Sequence, residues 1–371
     1  MNKEQLRIVI SGGGTGGHIF PAIAIANAIK ELHPNSLIQF VGADNRMEME
    51  RVPKAGYPII GLPITGFNRQ KLWKNIAVAW MINKSLFKAR AFLKEFKPHI
   101  AIGVGGFASG PTLKAAEWLN IPTVLQEQNS YAGVTNKLLA KKAKCICVAY
   151  EGMEKFFPAD RILVTGNPVR QELIDKKTDS IEAKRSFELD PNKQTVLILG
   201  GSLGAQSINN ALIENIDKIK NSNNQFIWQT GALYIDRITA TIKDNKPENL
   251  YVTDFITDMA VAYAAADLVV SRAGAGSISE FCLLKKPVLL IPSPNVAEDH
   301  QTKNAMALVN KDAALYIKDS EAKNLLIDTI EQTLNNKELL TQLGEKIKEM
   351  GRTNSATTIA KEVIKIATGN K

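Results

Sequence analysis

Short runs rich in valine, isoleucine and leucine recur along the chain, each followed by a stretch whose apolar positions return at helical spacing. "LRIVI", "LIQFVG", "HIAIGVGG", "PTVLQEQ", "CICVAY" and "RILVTG" form a first series; "TVLILGG", "QFIWQTG", "LYVTDF", "DLVVSRAG", "PVLLIPS" and "AALYIK" form a second, opening at residue 195. Nearly continuous apolar strands separated by helices specify parallel sheets covered on both faces. Two such series predict an α/β protein of two doubly wound, Rossmann-like domains. Between them, "GNPVRQELIDKKTDSIEAKRSFELDPNKQ" replaces the apolar periodicity with charges, Pro168 and Pro191. The expected organisation is a first domain over 1–166, a linker over 167–192 and a second domain over 193–352. A terminal helix over 353–371, "NSATTIAKEVIKIAT", has Asn354 or Ser355 as N-cap and no strand after it, so it is expected to cross back toward the first domain.

Both series open alike. "IVISGGGTGG" and "LILGGSLGA" each carry a strand into a glycine-rich turn and then a helix. Glycine removes the Cβ atoms that keep a ligand or another backbone away, and a helix start offers unpaired N–H groups to an anion or a sugar oxygen. A tight turn with nothing bound is the plain alternative. The first loop lacks the lysine and hydroxyl residue of a P-loop. Its G-x-G-x-x-G match at Gly12, Gly14 and Gly17 has only Asp44 as a ribose acid, which argues against a dinucleotide. His18, where the loop enters its helix, is placed to take a proton from a hydroxyl, or else only to hydrogen-bond locally.

The second series supplies a fuller constellation in "SRAGAGSISEFCLLKKPVLLIPSPNVAEDHQTKNA". Backbone N–H groups at Ala275, Gly276 and Ser277 suit a diphosphate, and Glu280, one turn further on, suits a ribose diol. Asp299, His300, Gln301 and Asn304 offer the mixed donors and acceptors a sugar needs, or a capping cluster. Loops at the carboxyl ends of two such sheets can face one another across a cleft.

At 371 residues and 45% hydrophobic content the chain is long enough for two cores. Three cysteines in apolar segments, Cys145, Cys147 and Cys282, show neither a disulfide framework nor zinc spacing and suit a reducing cytoplasm. The N-terminus shows no signal-peptide pattern, and nowhere do about 18 uncharged apolar residues run together, so membrane contact is expected to be peripheral. Where the net charge of +9 sits is more telling. Residues 64–97 combine Phe67, Trp73, Trp80, Met81 and Phe87 with Arg69, Lys71, Lys74, Lys84, Lys88, Arg90, Lys94 and Lys97, against Glu95 alone. Aromatics within a basic field predict a helix seated on an anionic membrane surface, although some of its apolar members must be core.

The motifs "GGTGGHIFPA", "GVGGFASGP", "EQNSYAGVTNK", "GNPVR", "GGSLGAQSIN", "DFITDMAVAYAAADLVVSRAGAGSISE" and "DHQTKNA" stand in the order found in the MurG family, and over residues 6–310 the chain closely resembles it. The resemblance implies a GT-B fold and an inverting transfer of GlcNAc from UDP-GlcNAc to the C4 hydroxyl of MurNAc in lipid I, giving lipid II for peptidoglycan. It implies that Thr15, Gly16, Gly17 and Asn129 lie near donor sugar and acceptor, and that Arg170 and Ser202 lie near the diphosphate. Ile256 would contact uracil through its backbone, Ala275 to Glu280 would hold phosphate and ribose, and Gln301 the GlcNAc hydroxyls. His18 and Glu127 are the candidate catalytic groups. The family implies a peripheral protein on the cytoplasmic face of the plasma membrane, with other cell-wall synthesis proteins as candidate partners.

Some positions depart from the family pattern. Gln126 stands where a histidine often precedes "EQN", Leu203 where a glutamine is frequent, and Thr257 where an acid is. There is no DxD in the chain, so no metal site and no required cofactor are expected, with a diffusible Mg²⁺ left open. A UDP-GlcNAc 2-epimerase or another GT-B enzyme is the alternative within enzymes, but it would not need the basic aromatic segment. A nucleic-acid-binding protein is disfavoured, because RNP aromatics, a helix-turn-helix signal and a zinc framework are all missing.

Overall fold

Strand β1 (Arg7–Ser11) shows how the apolar pattern becomes a covered sheet. In the computed structural model Ile8 and Ile10 point to one face and Val9 to the other, and all three are fully buried. Ile8 and Ile10 pack against Ile19, Ile25 and Ile29 of α1 (Gly16–Leu32). Val9 shares its cluster with residues of five later elements, among them Leu86, Ala89 and Leu93 of one helix. A strand buried on both faces reads as an unbroken apolar run, which is why the sequence pattern finds it. The structure describes residues 5–65, 75–169, 173, 178–201 and 204–369.

Two compact units are present, one of residues 1–170 with 352–371, the other of residues 171–351. In the first, β2 (Leu37–Ala43), β3 (Ile59–Leu62), β4 (Ile100–Gly103), β5 (Thr123–Glu127), β6 (Cys145–Val148) and β7 (Ile162–Val164) join β1 in a parallel sheet ordered β3-β2-β1-β4-β5-β6-β7. Helices α2 (Glu48–Lys54), α3 (Asn75–Phe96), α4 (Ser109–Trp118) and α5 (Val134–Leu139) connect them. The apolar pattern supplies six of these strands and misses β3, whose four residues follow Pro58 and are interrupted by Gly61.

The second unit is a parallel sheet ordered β10-β9-β8-β11-β12-β13, built from β8 (Thr195–Leu199), β9 (Gln225–Gln229), β10 (Leu250–Thr253), β11 (Leu268–Ser271), β12 (Val288–Leu290) and β13 (Leu315–Tyr316). Its helices are α6 (Ser180–Ser186), α7 (Gln206–Glu214), α8 (Ile216–Lys220), α9 (Ile235–Ile242), α10 (Met259–Ala265), α11 (Ala275–Leu283), α12 (His300–Val309), α13 (Ala322–Asn335) and α14 (Lys337–Glu349).

Strand order reverses between β1 and β4 in the first sheet and between β8 and β11 in the second. Ligands of open α/β sheets bind beyond the carboxyl ends of the strands at such a switch point. Both glycine-rich turns leave the carboxyl end of a switch-point strand, so each unit presents its loop where ligand binding is topologically favoured.

The last helix, α15 (Ser355–Thr368), belongs to the first unit, where Ile359, Ala360 and Val363 share the core cluster of Ile8 and α1. Asn354 holds its N-cap position in the left-handed region (φ 62°) without a side-chain cap, and Ser355 instead donates its hydroxyl to Arg352 O at 3.1 Å. Cys145, Cys147 and Cys282 are buried free thiols. Among the described residues no helix is long and apolar enough to cross a membrane.

Candidate active site

The first glycine loop and the turn after β4 lie in direct contact. At Gly106, whose φ of +86° already favours glycine, a Cβ would fall 2.2 Å from Gly13 O, so only glycine permits the approach. His18 stands in the first turn of α1 with its Nδ1 3.2 Å from Gly13 O and 3.2 Å from Thr15 Oγ1. Its ring lies against Gly105, where a Cβ would be 2.9 Å from Nε2. A carbonyl only accepts, so the Gly13 contact is a hydrogen bond when Nδ1 carries the proton; the neutral ring then has its lone pair on Nε2. Thr15 is the N-cap of α1 and makes no side-chain cap, which leaves the helix start at Gly16 and Gly17 uncapped by a side chain.

Glu127, at the end of β5, is 2% exposed and has both carboxylate oxygens engaged. Oε1 accepts from the N–H of Asn129 at 3.1 Å and from its Nδ2 at 3.3 Å, while Oε2 accepts from Gly133 N–H at 3.0 Å and Asn136 Nδ2 at 2.8 Å. This carboxylate is the hub of the segment that carries Asn129. Gln126, at the departure from the family pattern, is fully buried and donates to Asn167 Oδ1 at 2.9 Å, with Gln128 bonded to Gln126 and to Val104 O. Asn167 returns a bond to Gln128 O at 3.0 Å. A closed amide network thus ties β5, the turn after β4 and the "GNP" segment together, and the first unit brings Thr15, Gly16, Gly17, His18, Glu127 and Asn129 to the ends of β1, β4 and β5.

In the second unit, α11 begins at the carboxyl end of β11 with Gly274 as N-cap, no side-chain cap, and open space where a Cβ on Gly276 would lie. The N–H groups of Ala275, Gly276 and Ser277 form its first turn, and the helix dipole adds positive potential there. Glu280 is half-buried, and its Oε2 accepts from Tyr263 Oη at 2.7 Å. Tyr263, 2% exposed, packs edge-on against Phe281. Ile256 is buried in the turn between β10 and α10, whose N-cap Asp258 accepts from Val261 N–H at 3.2 Å. In the polar cluster, Gln301 Oε1 accepts from Ser293 N–H at 2.9 Å, and Asn304 is fully buried and donates to Ala273 O at 3.3 Å. Glu298 and Asp299 both have left-handed backbones (φ 53° and 52°), strain that concentrates at binding loops.

Arg170, Ser202, Phe67, Lys71, Trp73 and Lys74 lie outside the described residues. Of the basic aromatic segment the structure places Trp80 and Lys84 on the solvent side of α3, with Lys84 Nζ 5.3 Å from the centre of the Trp80 ring.

Sequence reasoning missed three bracing residues. Glu48 is buried beneath the first glycine loop. Arg272, directly after β11, ties Ile291 O (2.9 Å), Pro292 O (3.2 Å), Ser207 Oγ (2.8 Å) and Asp319 together. Tyr263 holds Glu280. The one local signal was a charge directly after an apolar strand, as in "DLVVSR".

Two parallel α/β units, each with a glycine-rich turn at the carboxyl end of a switch-point strand, are the architecture of the GT-B class. The chain matches the glycosyltransferase family 28 N-terminal domain over residues 8–148 and the glycosyltransferase family 28 C-terminal domain over residues 195–363. It is 62% identical over 377 residues to the UDP-N-acetylglucosamine--N-acetylmuramyl-(pentapeptide) pyrophosphoryl-undecaprenol N-acetylglucosamine transferase of Bacteroides fragilis, with 99% of each chain covered. The protein of that name from Flavobacterium psychrophilum is 50% identical, over 99% of this chain and all of the other. The crystal structure of Acinetobacter baumannii MurG superposes with a TM-score of 0.79 at 28% identity, covering 97% of this chain and 99% of that one. The chain belongs to the MurG family of glycosyltransferase family 28. A solved UDP-N-acetylglucosamine 2-epimerase shares the fold at a TM-score of 0.65 and 14% identity, covering 99% of this chain and 98% of that one.

Proposed function

We propose that this chain transfers GlcNAc from UDP-GlcNAc to the C4 hydroxyl of MurNAc in lipid I, with inversion, to give lipid II for peptidoglycan synthesis. The observation that carries the reading is the 62% identity, over essentially the whole of both chains, to a transferase named for that donor and acceptor. The epimerase alternative has only a shared fold behind it.

The site supports a single displacement. The acceptor oxygen attacks C1 of GlcNAc, the C1–O bond to the diphosphate breaks, UDP leaves, and the hydroxyl proton passes to Nε2 of His18. Nδ1 of His18, turned to Gly13 O, fixes the ring for that task. Charge developing on the leaving diphosphate is met by the first-turn amides of α11, which need no reorganisation as the bond breaks. Glu280 holds the ribose, Ile256 the uracil, Gln301 the sugar hydroxyls, and Arg170 and Ser202 the diphosphate. Glu127 has both oxygens in use and acts by shaping the segment of Asn129 rather than as the base.

The reaction site is proposed to work on the cytoplasmic face of the plasma membrane, peripherally attached. Trp80 and Phe87 of α3 are 66% and 63% exposed, with Lys84 and Lys88 beside them; Trp118 of the neighbouring α4 is also exposed. Large aromatics held out to solvent within a basic field suit a headgroup layer.

A transfer assay with radiolabelled UDP-GlcNAc and a lipid I analogue tests the function. The expected product is the β-1,4 disaccharide lipid; label recovered as the 2-epimer of UDP-GlcNAc, with none in lipid, would overturn the reading.

A further inference from the structure

Glu48 is the most deeply buried carboxylate near the site and has no part in the mechanism above. It is 1% exposed at the start of α2. Its Oε2 accepts from Gly14 N–H at 2.9 Å and its Oε1 from Ala43 N–H at 3.0 Å, so one carboxylate joins the end of β2 to the loop after β1. The fit is close: a Cβ on Gly13 would fall 2.1 Å from Oε1. Burying a carboxylate is costly unless hydrogen bonds satisfy it, and two backbone amides do so here.

The Gly14 N–H and the Gly13 C=O belong to the same peptide group and, in a trans peptide, point in opposite directions. Glu48 holds the N–H end, and Nδ1 of His18 lies 3.2 Å from the oxygen end. We infer that Glu48 is a positioning residue for His18, acting through the Gly13–Gly14 peptide: it fixes the carbonyl toward Nδ1 and so selects the Nδ1–H tautomer with Nε2 as the proton acceptor. The negative charge at the N–H end polarises the peptide and makes the carbonyl a stronger acceptor, as hydrogen bonds in series do. The same carboxylate takes the Gly14 N–H away from any bound anion. The first glycine loop is therefore built to orient a base, while the start of α11 keeps its amides for an anion. The inference rests on the reading of His18 as the base.

The test uses the full-length protein labelled with ¹⁵N-histidine. The chain has four histidines, which keeps the imidazole spectrum simple. His99 is an internal reference of opposite sense, because its Nδ1 accepts from Arg7 N–H at 2.9 Å and its neutral ring must be protonated at Nε2. With rings neutral, His18 in the unaltered protein is expected as the Nδ1–H form. Glu48→Gln places an amide NH₂ against a backbone N–H. It should shift His18 toward Nε2–H and lower kcat roughly ten- to a hundredfold, with the KM for UDP-GlcNAc unchanged. A neutral His18 protonated at Nε2 in the unaltered protein overturns the relay, whether or not Glu48→Gln folds. So does a folded Glu48→Gln that keeps both the Nδ1–H form and kcat. His18→Ala separates the two claims. If it retains turnover while the tautomer responds to Glu48, the assignment of the base fails and the coupling stands. If it loses turnover while the tautomer ignores Glu48, only the coupling fails.

Discussion

Tyr263 donates its phenolic hydrogen to Glu280 Oε2 at 2.7 Å, from a ring that is itself packed edge-on against Phe281. The bond fixes the carboxylate proposed to hold the ribose diol and removes the rotamer freedom that ligand binding would otherwise have to freeze. Tyr263→Phe keeps the packing and deletes only the hydroxyl. A hydrogen bond to a charged group is worth about 1.5–3 kcal/mol, so the KM for UDP-GlcNAc should rise roughly tenfold or more with kcat within about twofold. Glu280→Ala should raise it further. Calorimetry of UDP binding reads both variants, and an unchanged affinity in Glu280→Ala removes the ribose assignment.

His18→Ala should separate chemistry from binding. General-base catalysis contributes roughly 10²- to 10⁴-fold, and that much of kcat is expected to be lost. Donor affinity should stay near its original value, since none of the contacts proposed for the donor's phosphates, ribose and base falls to His18. Single-turnover transfer with a soluble lipid I analogue measures the first quantity and calorimetry the second. Turnover close to normal would take His18 out of the mechanism.

Glu127→Gln should act on the acceptor side through structure. Four donors converge on the carboxylate, and an amide nitrogen in place of either oxygen would face two of them. An unmet buried donor costs about 1–3 kcal/mol, enough to lower the melting temperature by a few degrees in a domain of this size. The KM for acceptor should rise more than the KM for UDP-GlcNAc. A rise confined to the donor would contradict the assignment.

The sheets were legible because their strands are buried on both faces, so that "IVIS" and "LILG" read as unbroken apolar runs. β3 was not, since Pro58 and Gly61 break a run already only four residues long. The helix start proposed as the second-unit anion seat could be placed from the sequence for a local reason: strand end, glycine N-cap and acid fall within a dozen residues of one another. The braces were not, because their partners are remote in sequence. Glu48 meets Gly14 across 34 positions and Arg272 meets Asp319 across 47, and neither spacing leaves a periodic trace. Asn354 marks a related limit. Its type predicts a side-chain cap, but with a left-handed backbone it makes none.

The proposed stabilisation of the leaving group by the amides of α11 leads to an expectation about metals. Among the described residues no three His, Cys, Asp or Glu side chains are grouped to hold an ion. On the role proposed for the first-turn amides of α11, transfer should keep at least about half its rate in excess chelator, because those amides are part of the fold. Added Mg²⁺ should change the KM for UDP-GlcNAc by less than about threefold, through ion pairing with the free nucleotide. A rate abolished by chelator and restored by one divalent cation would show that the amides of α11 do not suffice.

Attachment to lipid should depend on the outer face of α3 more than on its inner one. Leu86, Ala89 and Leu93 are buried in the first-unit core, whereas Trp80, Lys84, Phe87 and Lys88 all face solvent at helical spacing. Replacing Trp80 and Phe87 together by glutamate removes two apolar contacts and reverses charge locally without touching that core. Each basic residue near an anionic surface contributes about 1 kcal/mol, so two added acids should cut co-flotation with anionic liposomes by roughly tenfold or more. Raising salt should weaken the unaltered protein's binding in the same assay, because screening shortens the reach of its lysines. Turnover on a short-chain acceptor in solution should be unaffected. Equal flotation of the variant and the unaltered protein, at low and high salt alike, would mean that this face does not meet the bilayer.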